Sequence, residues 1–396
     1  MTPYSERSRK DQLLFITGIL FIALNLRPAL SSLGPLIGMI RETTGLSNTY
    51  LGLLTTLPLI AFGVLSTLTP LFTRKYGIEK TLSASLILLT LGIVLRASGF
   101  VPALFVGTVL LGIAIAFGNV LLPSLVKRDF NKHSGFMTSL YSGMMGVGAA
   151  LAAGLSVPIA DHVAGGWNTS LGVWGLLSLL AFIIWYPQTK HSEPTFKKRS
   201  FKKAMKDLGS NMLAWKVALF MGLQSLAFYV ILAWLPDILI SKEFTSLEAG
   251  WYLSLSQVTG VIGSMITPVI ASKKNDQRIF VVVLVLLEAI SLIGLWLGGV
   301  SSVALWVSLI GFALGGSFGL ALLLIVLRST NSETTAELSG MSQSIGYLLA
   351  ATGPIAIGIT YDITGSWDTA LFILFGILVI KLYMGIGAGS SQKLSS

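Results

Sequence analysis

Apolar residues run along this chain in long unbroken stretches. Neither the alternation of a half-buried strand nor the 3.6-residue rhythm of a surface helix dominates. A helix needs ~20 consecutive apolar residues to cross a hydrocarbon core. Stretches of that length lie at 12–41, 47–72, 80–99, 101–127, 134–160, 167–188, 211–240, 247–272, 278–298, 301–328, 335–361 and 366–388. The pattern predicts an all-α membrane protein with twelve transmembrane helices, numbered one to twelve in chain order. Continuous runs exclude a membrane β-barrel, whose strands alternate. The expected organisation is a tail at 1–11, six helices over 12–188, a polar linker at 189–210, six helices over 211–388 and a tail at 389–396.

Composition agrees, with 11% charged residues against about 25% in soluble domains. The net charge of +10 first suggests a nucleic-acid partner, but its distribution argues otherwise. With a cytoplasmic N-terminus, 22 of the 27 Lys and Arg fall in cytoplasmic tails, loops and helix ends. Only Arg41, Arg96 and Lys242 fall outside, while Arg27 and Lys381 lie within helices. This bias predicts both termini in the cytoplasm of a cell inner membrane. Arg7, Arg9 and Lys10 precede an apolar run that continues to Ile40 without a small-residue cleavage site, so helix one is expected to be uncleaved. Cysteine is absent, which removes disulfides, thiolate chemistry and cysteine metal sites. In the linker, Lys197, Lys198, Arg199, Lys202, Lys203 and Lys206 interleave with Phe196, Phe201, Ala204, Met205 and Leu208. That pattern suits either a solvated linker or a helix lying on an anionic leaflet.

The two halves repeat one another. Gly165-Gly166-Trp167-Asn168-Thr169-Ser170-Leu171 opens helix six, and Gly365-Ser366-Trp367-Asp368-Thr369-Ala370-Leu371 opens helix twelve. Ser142, Gly146, Ala150 and Gly154 in helix five match Ser342, Gly346, Ala350 and Pro354 in helix eleven. Phe117-Gly118 matches Phe318-Gly319, and Ser66, Thr69 and Pro70 match Ser264, Thr267 and Pro268. Parallel six-helix repeats joined by a cytoplasmic loop are the build of major facilitator transporters. Two pseudo-symmetric six-helix halves are therefore expected, with a cavity formed by helices one, four, seven and ten. The fourfold stripes, including Ser256, Gly260 and Ser264 in helix eight, suit either sliding seams between halves or plain tight packing.

Within that superfamily the chain resembles the cyanate and nitroimidazole permeases. The resemblance rests on Asn25-Leu26-Arg27-Pro28-Ala29 and Gly34-Pro35-Leu36 in helix one. In helix seven it rests on Phe220-Met221-Gly222-Leu223-Gln224-Ser225, Phe228-Tyr229 and Trp234-Leu235-Pro236. It implies a secondary transporter of small compounds, with a peripheral ninth helix. One departure is the superfamily's loop between helices two and three, usually Gly-x3-Asp-Arg/Lys-x-Gly. Here Pro70 replaces the glycine and Arg74 the acid, followed by Lys75, Tyr76 and Gly77. Glu333 or Glu337 would then be candidates to pair with Arg74 in a gate, and Arg41 with Asp237 in another.

Arg27 is the residue on which a function can be hung. An arginine at the bilayer centre costs ~2.5–3.5 kcal/mol, so such residues usually face a cavity or a partner. Arg27, Ser31 and Gly34 share one helical stripe, and Pro28 should kink the helix and free a carbonyl. Asn25, Ser31, Asn119, Gln224, Phe228 and Tyr229 complete the expected substrate-binding set around Arg27. Glu288, the one acid deep inside a span, is the coupling candidate, with an interhelical hydrogen bond as its alternative. His133, His162 and His191 all fall in predicted loops, and no phosphate-cradling P-loop is present. No enzyme chemistry, metal or cofactor is expected, and a membrane hydrolase or transferase ranks far behind a transporter. Duplicated halves favour alternating access over a channel. The expected substrate is a small anionic or nitro-bearing, electron-rich compound, moved by a monomer with proton symport or antiport as the first choice of coupling and anion exchange as the second. A multidrug-type efflux permease is the alternative.

Overall fold

The computed structural model describes residues 9–46, 48–192 and 201–394, so Lys197, Lys198 and Arg199 of the linker lie outside it. Every regular element among the described residues is helical. In lipid a backbone N–H or C=O has no water to bond, and a helix satisfies all such groups internally. Twelve helices are long and apolar enough to cross a membrane: Arg9–Thr44, Tyr50–Tyr76, Ile78–Arg96, Val101–Asp129, Asn131–His162, Gly166–His191, Met212–Ile240, Glu248–Ala271, Arg278–Leu297, Val303–Arg328, Ser332–Tyr361 and Trp367–Ala388. They correspond one to one with the twelve predicted stretches. A short linker helix, Phe201–Ser210, precedes helix seven.

The chain forms two compact units, one of residues 1–131 and 144–204, the other of 132–143 and 205–396. Residues 132–143, which include the start of helix five, group with the second unit. Its reason is polar: Ser139 Oγ donates to the Met265 carbonyl and Ser142 Oγ to that of Ser264 at 3.0 Å.

Within the second unit, helices eight and ten lie backbone to backbone. A Cβ at Gly311, Gly315 or Gly319 would run into the carbonyl oxygen of Ser256, Gly260 or Ser264 respectively. The small-residue stripe of helix eight is therefore a packed seam inside one unit. Such close approach is what small residues permit in lipid, where packing drives helix association. Helix seven meets helix eleven similarly, with a Cβ at Gly346 falling 3.6 Å from Gly222 Cα.

Polar brackets tie the helix ends. In the first unit Arg128 reaches Glu79 at 2.6 Å and Asp129 at 2.8 Å. At the matching place in the second, Arg328 donates to the Gln277 side chain, to the Ala388 carbonyl at 2.8 Å and to the Gly389 carbonyl at 3.2 Å.

The helix eight–ten seam makes a clear prediction. Gly315→Val should destabilise the protein by ~1–3 kcal/mol through overpacking. Gly376→Val, whose added Cβ meets nothing within 4 Å, should be near neutral. Thermal unfolding of both variants in detergent checks this, and equal midpoints would show that the seam is not tight.

Candidate functional site

Helix one is not continuous. It runs Arg9–Asn25, breaks at Leu26 and Arg27, resumes as the single turn Pro28–Ser31, and continues over Leu33–Thr44. Proline explains both interruptions, because Pro28 and Pro35 cannot donate to the carbonyls of Leu24 and Ser31 four residues earlier. The predicted kink is present. The Leu24 carbonyl oxygen lies so close to Gly148 of helix five that any Cβ there would collide with it, and Pro28 Cδ would lie 3.2 Å away. Leu26, the other residue of the break, packs its side chain onto Gly118 of helix four.

A residue that sequence reasoning assigned to the outer surface holds this break. Arg96, the last residue of helix three, is 1% exposed. Its Nη1 donates to the Ala29 carbonyl at 2.6 Å and its Nη2 to Ser32 Oγ at 3.5 Å. One guanidinium thus grips the turn that follows Arg27 and the residue that ends it. Helix three is fixed in turn, since a Cβ at Gly107 of helix four would fall 2.5 Å from Arg96 N. The signal was available: Arg96 lies inside the predicted stretch 80–99, three positions from its end.

Arg27 and Ser31 are half-buried, and Gly34, Gly38 and Arg41 along the same stripe are exposed. A Cβ at Gly34 or Gly38 would meet nothing within 4 Å. The stripe is therefore open along its length, with a guanidinium and a hydroxyl one turn apart at its inner end.

The other predicted residues fall differently. Asn25 is buried, and its amide donates to the Phe21 carbonyl at 2.8 Å and to the Leu177 carbonyl of helix six at 3.3 Å. It ties helix one to helix six, and contact with a solute would require giving up that tie. Asn119 is buried in helix four next to Gly118, on which Leu26 rests. In the second unit Gln224 is buried and donates to Ser225 Oγ at 2.7 Å, while Phe228 and Tyr229 are half-buried and meet edge to face at 5.4 Å. Trp234 donates to the Pro354 carbonyl at 2.9 Å and packs on Trp367. Asp237 is exposed in the last turn of helix seven, Arg74 is half-buried, Glu333 is half-buried and Glu337 is buried.

Glu288 has a partner that the sequence did not supply. Its Oε2 meets Lys381 Nζ at 2.5 Å, both side chains being almost wholly buried. The two charges from helices nine and twelve neutralise each other in a place neither would occupy alone. That geometry is a structural tie, the alternative weighed for Glu288. Among the described residues no group of three or more His, Asp or Glu is placed to hold a metal.

A family model described as the Major Facilitator Superfamily matches residues 13–354. The chain is 44% identical over 393 residues to the uncharacterized transporter YycB of Bacillus subtilis, covering 99% of this chain and 97% of that one. It is 37% identical over 397 residues to the 2-nitroimidazole transporter of Escherichia coli, covering 100% of each. To the cyanate transport protein CynX of the same bacterium it is 26% identical, over 92% of this chain and 95% of that one. Among solved structures, the proton:xylose symporter XylE superposes with a TM-score of 0.72 at 14% identity, covering 96% of this chain and 97% of that chain.

Two outcomes follow from these contacts. Arg96→Met should leave the Ala29 carbonyl unsatisfied at a cost of ~1–3 kcal/mol, and should speed thiol labelling of Ser31→Cys in this cysteine-free chain. Unchanged labelling would show that Arg96 does not hold the break. For the buried pair, Glu288→Leu or Lys381→Leu alone should cost ~3–5 kcal/mol, and the double replacement much less. Thermal unfolding of the three variants decides whether the pair is structural.

Proposed function

The chain belongs to the Major Facilitator Superfamily, a family of membrane transporters and not of enzymes, and on that premise we propose that it carries a small, flat, electron-rich or anionic solute by alternating access. The half-buried Arg27 at the break of helix one carries this reading. Its guanidinium is permanently charged and presents a fork of donors matched to a nitro group, a carboxylate or a linear anion. Ser31 adds a hydroxyl one turn away, and the open stripe beyond Gly34 gives a solute room beside the charge. In the second unit, Phe228 and Tyr229 are the aromatic faces on which a flat ring would stack. The full-length relative named as a 2-nitroimidazole transporter supports a nitro-heterocycle as the first choice. The more distant cyanate relative keeps a small linear anion as the second.

Both termini are proposed to face the cytoplasm of the inner membrane, from the bias of basic residues. Uptake of an anion against the membrane potential costs ~2.3 kcal/mol per charge per 100 mV, so it would need a co-transported cation or an exchanged anion. Proton coupling is the first choice. Glu288 would be its carboxylate only if the Lys381 pair opens during the cycle, and an unchanged pH profile in Glu288→Gln would remove it.

The test is flux of 2-nitroimidazole and of cyanate in proteoliposomes. Arg27→Ala should lower apparent affinity by ~10–150-fold, the worth of a charge-assisted hydrogen bond. Arg27→Lys should recover only part of it, because the bidentate fork is lost. Normal flux in a folded Arg27→Ala would place the anchor elsewhere. For the orientation, a cysteine at position 395 should resist impermeant thiol reagents in intact cells, and external labelling would reverse the topology.

A further inference from the structure

At one end of the second unit, the beginnings of helices seven and nine and the end of helix twelve converge on a cavity of about 180 Å³. Met212, Leu213, Lys216, Arg278, Gly387, Ser390 and Gln392 line it. We propose that this cavity binds the phosphate of an anionic lipid headgroup, a site distinct from the substrate site.

The first support is its charge. Two cations line the cavity and no acid does. The nearest carboxylate known to touch them is Asp276, 3.6 Å from Arg278 in a half-exposed pair that a phosphate oxygen can share. The second is that Lys216 is seated, not splayed into solvent. Its stem lies across Gly387, where a Cβ would collide with Cδ and fall 2.8 Å from Cε and 3.0 Å from Nζ. Only glycine at the end of helix twelve leaves room for the ammonium to turn over the cavity. Arg278 is fixed from the same segment, since a Cβ at Gly389 would lie 2.9 Å from its backbone nitrogen, and Gln277 N donates to the Gly389 carbonyl at 2.8 Å.

Size and surroundings point to a headgroup. The cavity is smaller than the ~300–1,000 Å³ of pockets that enclose whole ligands. It lies where three membrane-crossing helices end, which is the depth of lipid phosphates. Beside it, Met212 is 67% exposed and Trp215 is 38% exposed, the second donating to the Gly209 carbonyl of the linker helix at 2.8 Å. A half-exposed tryptophan tied by its N–H, next to an exposed methionine, is the surface that acyl chains and the interface favour. With the proposed orientation, this end meets the inner leaflet.

The probes are dioleoylphosphatidylglycerol, dioleoylphosphatidylcholine and inorganic phosphate, each added to the full chain in detergent and followed by native mass spectrometry and thermal unfolding. Phosphatidylglycerol should bind and raise the unfolding midpoint, with phosphatidylcholine weaker by about tenfold or more. Lys216→Gln and Arg278→Gln should each weaken phosphatidylglycerol by about fivefold. Gly387→Leu, which displaces the Lys216 stem, should do the same, while Lys393→Gln, an exposed cation that does not line the cavity, should not. The Gln variants alter half-buried or exposed side chains, so the single variants keep the comparison when Gly387→Leu unfolds. Equal binding of both lipids, or phosphatidylglycerol binding that survives both Gln variants, overturns the proposal. Equal stabilisation by phosphate alone overturns the lipid as its source. Arg27→Ala should leave this binding unchanged, which separates its failure from that of the transport reading.

Discussion

A chain in hydrocarbon has nowhere to leave an unpaired peptide group, and this constraint organises the whole molecule. Most of the membrane-crossing helices meet it by the ordinary ladder, with prolines absorbed inside them, and helix six divides only into Gly166–Gly172, Trp174–Trp185 and the short 3-10 helix Tyr186–His191. Helix one does not. Pro28 and Pro35 remove two donors within eight positions, and the helix falls into three pieces. Repair comes from outside the helix. Arg96 supplies donors to Ala29 and Ser32, and Gly148 brings a bare backbone against the exposed Leu24 carbonyl. The break is therefore built by three other helices around it. Arg27 sits in that break, where the proposed function puts its anchor.

The duplication shows the same departure from another side. Contacts that serve packing are kept in both halves. Arg128 in the first unit and Arg328 in the second each close the end of a helix. Contacts that serve the break are not kept. Helix seven runs unbroken over Met212–Ile240. Even the preserved brackets differ in kind, since an ion pair with Glu79 becomes a neutral contact with Gln277.

What was legible in the sequence was whatever one helix declares by itself. Spans, repeats and the Pro28 kink depend on runs, offsets and missing donors, all local properties. What escaped was pairing across helices. Glu288 and Lys381 were each visible as charges inside spans, yet nothing in their spacing says that helices nine and twelve are neighbours. Arg96 was miscounted for a subtler reason. Near the end of an apolar stretch an arginine usually snorkels to water, and only the approach of helix four at Gly107 shows that this one turns inward. The helix eight stripe was seen, but whether its partner was helix ten or a moving surface depends on packing. The glycines at 311, 315 and 319 carried that answer, spaced by four on the facing helix.

The arginines also constrain how a transport cycle can run. Arg96, Arg128 and Arg328 are committed to carbonyls, amides and carboxylates by fixed forks of donors, a task for which the ammonium of lysine is poorly shaped. Arg27 is of the same type but half-buried, beside an open stripe. On the proposed reading, release of a solute from Arg27 would come from a change in what surrounds it: water reaching it, or a competing anion, or a shift of the turn that Arg96 grips. The last of these links the two arginines. Because Arg96 binds the turn that begins one residue after Arg27, any motion of helix three against helix one would also displace Arg27.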